Sequence, residues 1–212
     1  ILLISVPRDL IKKYQYILKS ADLNLIALEI EPFGLVRSVI LGDLTPTILV
    51  DIGNYATSIS LVSDAQLKFA TNIDFGGMSL TYAISKSLNI NPLRAEEIKR
   101  ERGILETGVD YELTQTMLPI IDIIIGEIQR TKLNYENNIN KPFNAERIIL
   151  CGGGANLIGI ENYFSKKLGI PVFLASPLNY FSYPIQIEPL LKELNTRLSV
   201  SLGLAMRQII LK

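Results

Sequence analysis

Two glycine turns, each directly after a short apolar run, contain the residues of this chain best suited to chemistry. The first spans Asp51–Thr57 and follows Ile48–Val50, and the second spans Gly152–Ala155 and follows Ile148–Cys151. Because glycine has no Cβ, backbone N–H groups in such turns can come close to phosphate oxygens. Two turns of this kind, about 100 residues apart, predict one nucleotide held from two sides.

The first turn has the residue types of a phosphate and magnesium site. The carboxylate of Asp51 is expected to hold Mg²⁺ through the waters of the ion. Gly53 lets the backbone approach a phosphate, and the Thr57 hydroxyl is expected to contact it. The alternative interpretation is a hairpin turn that Asp51 and Asn54 stabilise with their side chains.

The second turn is suited to the nucleoside. Three consecutive glycines, Gly152, Gly153 and Gly154, carry a large conformational cost, which favours a functional reason for them. Together with Ala155 they would let a flat base or a ribose lie against the backbone. The alternative is a tight turn between a strand and a helix.

Three further segments carry candidate groups. Gly76 and Gly77 precede a predicted helix, whose N-terminus attracts anions; a tight strand-to-helix turn is the alternative. Glu96 and Lys99 share a helix face, where they could bind the two ribose hydroxyls or form a solvated charged pair. Glu31 ends a predicted strand, where a carboxylate could orient an attacking water or favour a helix start.

Composition excludes several function classes. Lys plus Arg and Asp plus Glu both number 21, so there is no general basic field for nucleic acid. The chain has no histidine, which removes His bases and His metal ligands, and its single cysteine, Cys151, is expected in the core. No apolar run is long enough to span a bilayer, so direct membrane insertion is not expected.

The hydrophobic periodicity predicts an α/β fold around these turns. Strands are predicted at Ile1–Val6, Leu25–Ile30, Thr47–Ile52, Ser58–Val62, Gln66–Asp74, Arg147–Cys151 and Val172–Leu174. Helices are predicted at Arg8–Ala21, Pro32–Leu41, Gly76–Leu88, Asn91–Gly103, Glu112–Asn137, Leu157–Leu168 and Arg197–Ile210, with a loop at Thr107–Asp110. The first four elements would form a β-α-β-α unit, and the turn-rich segment 42–46 predicts a boundary between residues 1–45 and 46–212.

Four segments together resemble the actin-type ATPase superfamily, and they occur in that superfamily's order. Val50–Thr57 is similar to its second phosphate motif, and Ile149–Gly159 resembles its adenosine motif. Ala95–Lys99 is similar to the ribose-contacting helix of bacterial actins. Glu31-Pro32 resembles the segment that carries a catalytic carboxylate in chaperone ATPases.

Within the superfamily, the chain is most similar to the PilM family of type IV pilus assembly proteins. The similar segments are Glu29–Leu35, Ile73–Gly77, Glu127–Tyr135 and Gly203–Arg207, and they span nearly all 212 residues. The cell-division FtsA family is the second-ranked resemblance, and a sugar-kinase-like phosphotransferase is a further alternative. Asp43, in a turn before Asp51, lacks the context expected of a kinase base.

The resemblance implies a two-lobed, ribonuclease H-like fold with ATP and Mg²⁺ in the cleft. Residues 1–45 would be the C-terminal part of the first lobe and residues 46–212 the second lobe. The superfamily's first phosphate motif and the inserted subdomain, which precede Ile1 in that arrangement, are not in the sequence. The resemblance further implies a cytoplasmic scaffold, at most a weak ATPase, that binds the PilN N-terminal peptide and connects it to the pilus motor ATPase or platform proteins at the inner membrane.

Overall fold

A five-stranded mixed sheet places both glycine turns at the same edge. The computed structural model describes residues 4–105 and 111–207. The strands are β1 (Thr47–Ile52), β2 (Thr57–Ser63), β3 (Gln66–Ile73), β4 (Arg147–Cys151) and β5 (Val172–Leu174). Their order is β3-β2-β1-β4-β5, in which β1 and β4 are parallel and β1, β2 and β3 form an antiparallel meander.

Helices cover both faces of the sheet. The helices are α1 (Arg8–Ser20), α2 (Glu31–Leu35), α3 (Gly77–Leu88), α4 (Pro92–Arg102), α5 (Tyr111–Ile139), α6 (Ile160–Leu168), α7 (Leu191–Arg197) and α8 (Ser199–Ala205). A π-helical segment at Val36–Ile40 extends α2, and 3₁₀ turns lie at Gly153–Asn156, Pro177–Tyr180 and Ile185–Leu190.

The alternation of side chains along β1 explains the two apolar layers. Ile48, Val50 and Ile52 point to one face, where they pack with residues of α3, α4, α5 and α6. Leu49 points to the other face, which packs against Leu35 and the rest of segment 31–40. Because β1 is buried on both faces, it reads as a continuous apolar run rather than as an alternating pattern.

The contact between α2 and α8 brings the two backbones together. Gly34 and Gly203 face each other so closely that a Cβ at position 203 would overlap the Gly34 carbonyl. Arg37 donates to the Gly203 carbonyl at 2.6 Å and pairs with Glu29 at 2.9 Å. The Ser38 hydroxyl donates to the Ser199 carbonyl at 2.6 Å. Segment 29–40 is thereby fixed to the C-terminal helix.

The predicted N-terminal β-α-β-α unit is wrong in its strands. Residues 4–6 and 25–30 belong to no strand, and residues 1–3 lie outside the described residues. A strand is stabilised by neighbours, and none of the five strands reaches these segments. Several of their apolar side chains, among them Ile4, Ile26 and Leu28, are consequently exposed, and α1 buries none of its residues. The helix α1 forms nearly as predicted, whereas the predicted helix Pro32–Leu41 consists of the short α2 and the π-helical segment.

From β1 to β5 the predicted elements are confirmed, with small shifts. The predicted helix Leu157–Leu168 begins at Ile160, after the 3₁₀ turn. The predicted helix Arg197–Ile210 is divided between the end of α7 and α8, and its last residues, like the predicted loop Thr107–Asp110, lie outside the described residues. Among residues 4–105 and 111–207, no helix combines the length and hydropathy of a membrane-spanning segment.

Candidate functional site

The two glycine turns lie side by side because their strands are parallel neighbours. Asp51 on β1 is directly opposite Cys151 on β4, so both strands end at the same level. The turns at Gly53 and Gly152–Gly154 then form one end of a cleft of about 770 Å³. Clefts outside the carboxyl ends of parallel strands are the usual ligand sites of α/β folds.

The Gly53 turn packs on the N-terminus of α3. The N–H groups of Gly77 and Met78 donate to the carbonyls of Gly53 and Asn54, at 2.9 and 2.8 Å. A Cβ at Gly76 would lie 2.6 Å from the Gly53 carbonyl, so this approach requires glycine. The first N–H groups of α3 are therefore used inside the protein, where the sequence predicted them free for an anion. Gly77 lines the cleft, whereas Gly76 does not.

Thr57 supports this turn from behind. Its side chain is fully buried, and its hydroxyl donates to the Phe75 carbonyl at 2.7 Å. Thr57 is not among the residues that line the cleft. The structure thus gives Thr57 a role in holding the Phe75-Gly76 backbone, in place of the direct phosphate contact predicted from the sequence.

The triple glycine is built by close contact with β1. Gly152 has φ of +79°, and its N–H donates to the Thr196 carbonyl at 2.9 Å. A Cβ at Gly152 would collide with the Asp51 carboxylate and the Ile52 carbonyl, and one at Gly154 would collide with Ile52. Gly153 is exposed to the cleft with no close neighbour, so its backbone is the accessible part of the turn.

Ala155 and Asn156 follow the triple glycine but differ in exposure. Ala155 is 1% exposed and packs in the core, so the structure does not bring it to the cleft as the sequence predicted. Asn156 lines the cleft and donates to the Thr196 hydroxyl at 2.7 Å. Its Oδ1 atom is buried and has no hydrogen-bond partner within the described chain. This acceptor is one polar group that a bound ligand would satisfy.

Glu96 and Lys99 lie on the cleft wall formed by α4. Asn91 caps the N-terminus of this helix. Lys99 is 8% exposed and donates to the Gly77 carbonyl, the Thr81 hydroxyl and Glu96, at 2.9, 2.9 and 2.6 Å. An ammonium group has three protons, so Lys99 is fully engaged in tying α4 to the start of α3. The outward side of this network is Glu96.

The electrostatics of this network favour an ionised Glu96. Burial acts to raise its pKa, but hydrogen bonds from Lys99, Thr81 and Arg100 outweigh burial and lower the pKa to about 2. Burial lowers the pKa of Lys99, against the opposing effect of Glu96. A carboxylate that stays ionised is an acceptor for hydroxyl donors, which fits the ribose contact predicted from the sequence.

Asp51 is a cleft carboxyl group whose pKa is shifted in the opposite direction to that of Glu96. Burial, with a smaller contribution from the charge of Glu31, raises its pKa to about 6. No hydrogen bond to its side chain is found in the part of the chain that the structure describes. A cation at this point would compensate the buried charge. The exposed Glu31 stands at the start of α2 and is not part of the cleft lining.

A close backbone contact between Gly103-Ile104 and Ile158-Gly159 connects two walls of the cleft. The Ile104 N–H donates to the Ile158 carbonyl at 2.7 Å. Gly103 and Gly159 both have positive φ, and a Cβ at either position would strike the isoleucine of the other segment. This contact fixes the end of α4 against the segment that follows the second glycine turn. The sequence analysis did not predict a contact between Gly103 and Gly159.

The remaining wall, α7 with the preceding 3₁₀ turn, was missed from the sequence. Pro189 and Leu190 give it an apolar part, and Lys192 and Arg197 give it positive charge. Arg197 pairs with Glu193 at 2.5 Å, four residues earlier on the helix. The spacing of Glu193 and Arg197 is typical of a helix. The prolines of the preceding segment 176–189 indicated a loop, so the helix was predicted to begin only at Arg197.

The cleft lacks a preformed cage for a bare metal ion. No group of three or more His, Cys, Asp or Glu side chains with suitable spacing occurs among residues 4–105 and 111–207. A single carboxylate such as Asp51 suits a cation that arrives with its own waters and phosphate ligands, as Mg²⁺ does with nucleotides.

The order of strands and the paired glycine turns define an α/β protein of the actin-like class, and solved structures agree. The chain matches a PilM-PilN type IV pilus biogenesis complex with a TM-score of 0.78 and 22% identity, over 94% of this chain and 57% of that one. It matches MreB 5 of Spiroplasma citri bound to AMPPNP with a TM-score of 0.72 and 15% identity, over 97% and 66% of the two chains. It matches the ethanolamine utilization protein EutJ of Carboxydothermus hydrogenoformans with a TM-score of 0.64 and 25% identity, over 94% and 62%.

The chain belongs to the family of the type IV pilus assembly protein PilM, whose family model matches residues 1–209. Among curated proteins it is similar to the cell division protein FtsA of Buchnera aphidicola subsp. Baizongia pistaciae (strain Bp). The identity is 28% over 156 residues, which cover 61% of this chain and 37% of that protein. The chain therefore spans about a third of this relative and about three fifths of the solved structures that it matches.

Proposed function

We propose that this chain forms part of an ATP-binding site in an actin-like scaffold of type IV pilus assembly. The carrying observation is the convergence of two glycine turns, after parallel strands, on a cleft that Asp51 and Glu96 also line. The site suits a ligand with a phosphate at one end and a nucleoside at the other. Bound Mg-ATP would supply a charge-compensating cation and a phosphate group whose presence or absence can set the state of the scaffold.

The residues have distinct roles in this proposal. Asp51 receives the waters of the magnesium ion, and the Gly53 turn lies against phosphate. Gly77 also lines the cleft, but its N–H and carbonyl are used within the protein. Gly152, Gly153 and Gly154 support the adenosine, and Glu96 accepts from ribose hydroxyls. Four further residues support these groups from within the protein and do not contact the ligand, because their polar groups or side chains are engaged there: Thr57, Gly76, Lys99 and Ala155. Glu31, whose charge acts on Asp51, is the candidate for orienting a water.

A scaffold fits the site better than a phosphotransferase. The aspartate nearest to a kinase-like position, Asp43, is held by Thr45 and by Arg147, at 2.9 and 2.5 Å. Hydrogen bonds from these two residues lower the pKa of Asp43 to about 2. A carboxylate with so low a pKa is a poor general base near neutral pH.

Helix α8 fits internal packing better than the role of an FtsA-like membrane tether. The described part of the last predicted helix is α8, whose Gly203 packs against Gly34 and whose end buries Met206. This packing uses the helix face that a membrane anchor would need.

The partner proposed for the scaffold is the N-terminal cytoplasmic peptide of PilN. Family membership and the likeness to a PilM-PilN complex support it. In this proposal the protein is cytoplasmic, lies at the inner membrane through its partners, and connects PilN to the pilus motor ATPase or platform proteins. Any ATP hydrolysis is slow.

Calorimetric titration of Mg-ATP tests nucleotide binding. A dissociation constant near micromolar corresponds to about −8 kcal/mol. We expect binding to the unmodified chain, a loss of at least tenfold in Asp51→Asn, and no change in Asp74→Asn, an exposed aspartate at the end of β3. Absence of heat from folded protein, or equal binding by both variants, would contradict the proposed site.

Fluorescence anisotropy tests the partner. A labelled peptide with the N-terminal sequence of the cognate PilN is titrated with this chain, with and without Mg-ATP, beside a scrambled peptide of equal composition. The proposal expects saturable binding of the native order only. Equal anisotropy changes for both peptides would reject PilN recognition by this part of the protein while leaving the nucleotide site to its own test.

A further inference from the structure

A row of three side chains crosses the sheet at the cleft end, on the face opposite to α3–α6. Asp51 on β1 is directly opposite Ser58 on β2 and Cys151 on β4. Directly opposite residues point to the same face of a sheet. The immediate neighbours of Asp51 in this row are therefore a hydroxyl and a thiol. The exposed Asn72 on β3 lies beyond Ser58.

Ser58 has a hydroxyl that the protein itself does not use. Ser58 is 8% exposed, and its Oγ has no hydrogen-bond partner among the described residues. A buried hydroxyl without a partner costs about 1–3 kcal/mol. The Ser58 hydroxyl is therefore a donor available to a neighbouring group.

Ser60 provides an internal comparison. It lies two residues further along β2, on the same face, is 1% exposed and is also unpartnered. Its opposite neighbour is Leu49, within the apolar layer. The two serines share strand and face, and both are buried. On β1 only Ser58 has a carboxylate opposite, and on β3 Ser58 is opposite Asn72 whereas Ser60 is opposite Ala70.

The distance between opposite residues allows a direct contact. Opposite Cβ atoms of antiparallel strands are about 4.5–5.5 Å apart. Rotation of the Ser58 side chain among its staggered positions moves the hydroxyl without moving the strand. At this separation a rotation of Ser58 can bring its O–H to the Asp51 carboxylate, and Asp51 also lines the cleft.

We propose that Ser58 is a positioning residue for Asp51: its hydroxyl donates to one carboxylate oxygen and so directs the other toward the hydration shell of a divalent cation. This inference rests on the proposed nucleotide site. Hydrogen bonds to a carboxylate favour its ionised form and fix its orientation, both of which a cation requires. Ser58 touches neither cation nor nucleotide and acts only through Asp51.

The test separates the cation from the nucleotide. Calorimetry measures ATP binding with excess Mg²⁺ and with a chelator, for the unmodified chain and for Ser58→Ala, Ser58→Thr and Ser60→Ala. We expect Ser58→Ala to weaken Mg-ATP binding about tenfold and metal-free ATP binding by less than twofold. Ser58→Thr retains the hydroxyl and restores the magnesium effect, and Ser60→Ala resembles the unmodified chain.

A double variant tests the route through Asp51. In an Asp51→Asn background, Ser58→Ala should change Mg-ATP binding by less than twofold, because the group that it positions is no longer a carboxylate.

The outcomes are distinct. Equal magnesium effects in Ser58→Ala and Ser60→Ala would overturn the role of Ser58 and leave the proposed function standing. A tenfold loss from Ser58→Ala that persists in the Asp51→Asn background would also overturn it, since Ser58 would then act independently of Asp51. No binding of ATP by the unmodified chain under either condition would overturn the proposed function and this inference with it.

Discussion

Replacing Asp51 by asparagine should stabilise the protein in the absence of ligands, although the same change should weaken Mg-ATP binding. Burial raises the pKa of Asp51 from 3.8 to about 6, so the ionised carboxylate opposes folding. Each pKa unit corresponds to about 1.4 kcal/mol, which gives a cost of about 3 kcal/mol well above pH 6. Asparagine is nearly the same size as aspartic acid and carries no charge, so it should recover up to this amount.

The direction of the pKa shift of Asp51 determines how the stability of the protein depends on pH. The pKa of Asp51 is higher in the folded protein than in the unfolded chain. Below pH 3.8 the Asp51 carboxyl is neutral in both states and does not lower the free energy of unfolding. That free energy falls as the pH rises through about 6. The difference in unfolding free energy between Asp51→Asn and the unmodified chain should be near zero at pH 4 and largest at pH 8.

Urea denaturation from pH 4 to pH 8, followed by far-UV circular dichroism, measures this difference. Other titrating groups are common to both proteins and cancel in the comparison. Asp74→Asn, at an exposed position, should show no comparable trend. An Asp51→Asn variant that is less stable at pH 8, or whose advantage does not depend on pH, would refute the view that burial, in the absence of a cation, makes the Asp51 carboxylate destabilising.

Three further changes test the framework of the cleft. Lys99→Met should lower the unfolding free energy by about 1.5–3 kcal/mol in urea titrations, because it removes the hydrogen bonds that join α4 to the start of α3, while Glu96 keeps its pair with Arg100; a loss below 1 kcal/mol would contradict the tie between α3 and α4. Gly152→Ala should destabilise the protein by well over 1 kcal/mol, because its Cβ collides with Asp51 and Ile52, whereas Gly169→Ala, also at positive φ but in open space, should cost only about 1 kcal/mol; equal losses would reject the collision. Phe164→Ala should lower the melting midpoint by an amount equivalent to about 3–5 kcal/mol, since Phe164 is fully buried between the sheet and α5; a smaller loss would mean that α6 is loosely packed.

The sheet of the second part of the chain could be predicted from sequence because its signals are local. β1 and β4 are apolar runs that end in glycine, and β2 and β3 are separated by the polar turn at Asp64 and Ala65. The caps of α4 were also readable, since Asn91 accepts from Arg94 and Gly103 ends the helix. Each of these signals acts within a few residues of the element that it defines.

The N-terminal strands could not be predicted correctly because a strand is defined by its neighbours. Apolar composition at residues 25–30 is compatible with a strand, but no strand of the sheet is placed beside it. The helix α1 depends on hydrogen bonds within its own backbone, so its periodicity was sufficient to predict it even though it buries no residue.

The candidate site shows the same division. The glycine turns and Asp51 were identified because glycine after a buried strand is a strong local signal. The sequence could not distinguish residues that face the cleft from residues that support it. Thr57 and Ala155 lie behind the turns, and the Lys99 ammonium donates to the Gly77 carbonyl at the start of α3. That distinction depends on contacts between segments 15 or more residues apart.

The contact of segment 31–40 with α8 has a consequence for synthesis of the chain. Arg37 and its partner carbonyl at Gly203 are separated by 166 residues. At about 5–20 residues per second, a ribosome needs roughly 10–30 s to produce the second after the first. During that interval Leu35 and Ile40, almost fully buried in the finished fold, lack the helix that covers them. Segment 31–40 therefore keeps part of its apolar surface exposed until α8 has been synthesised.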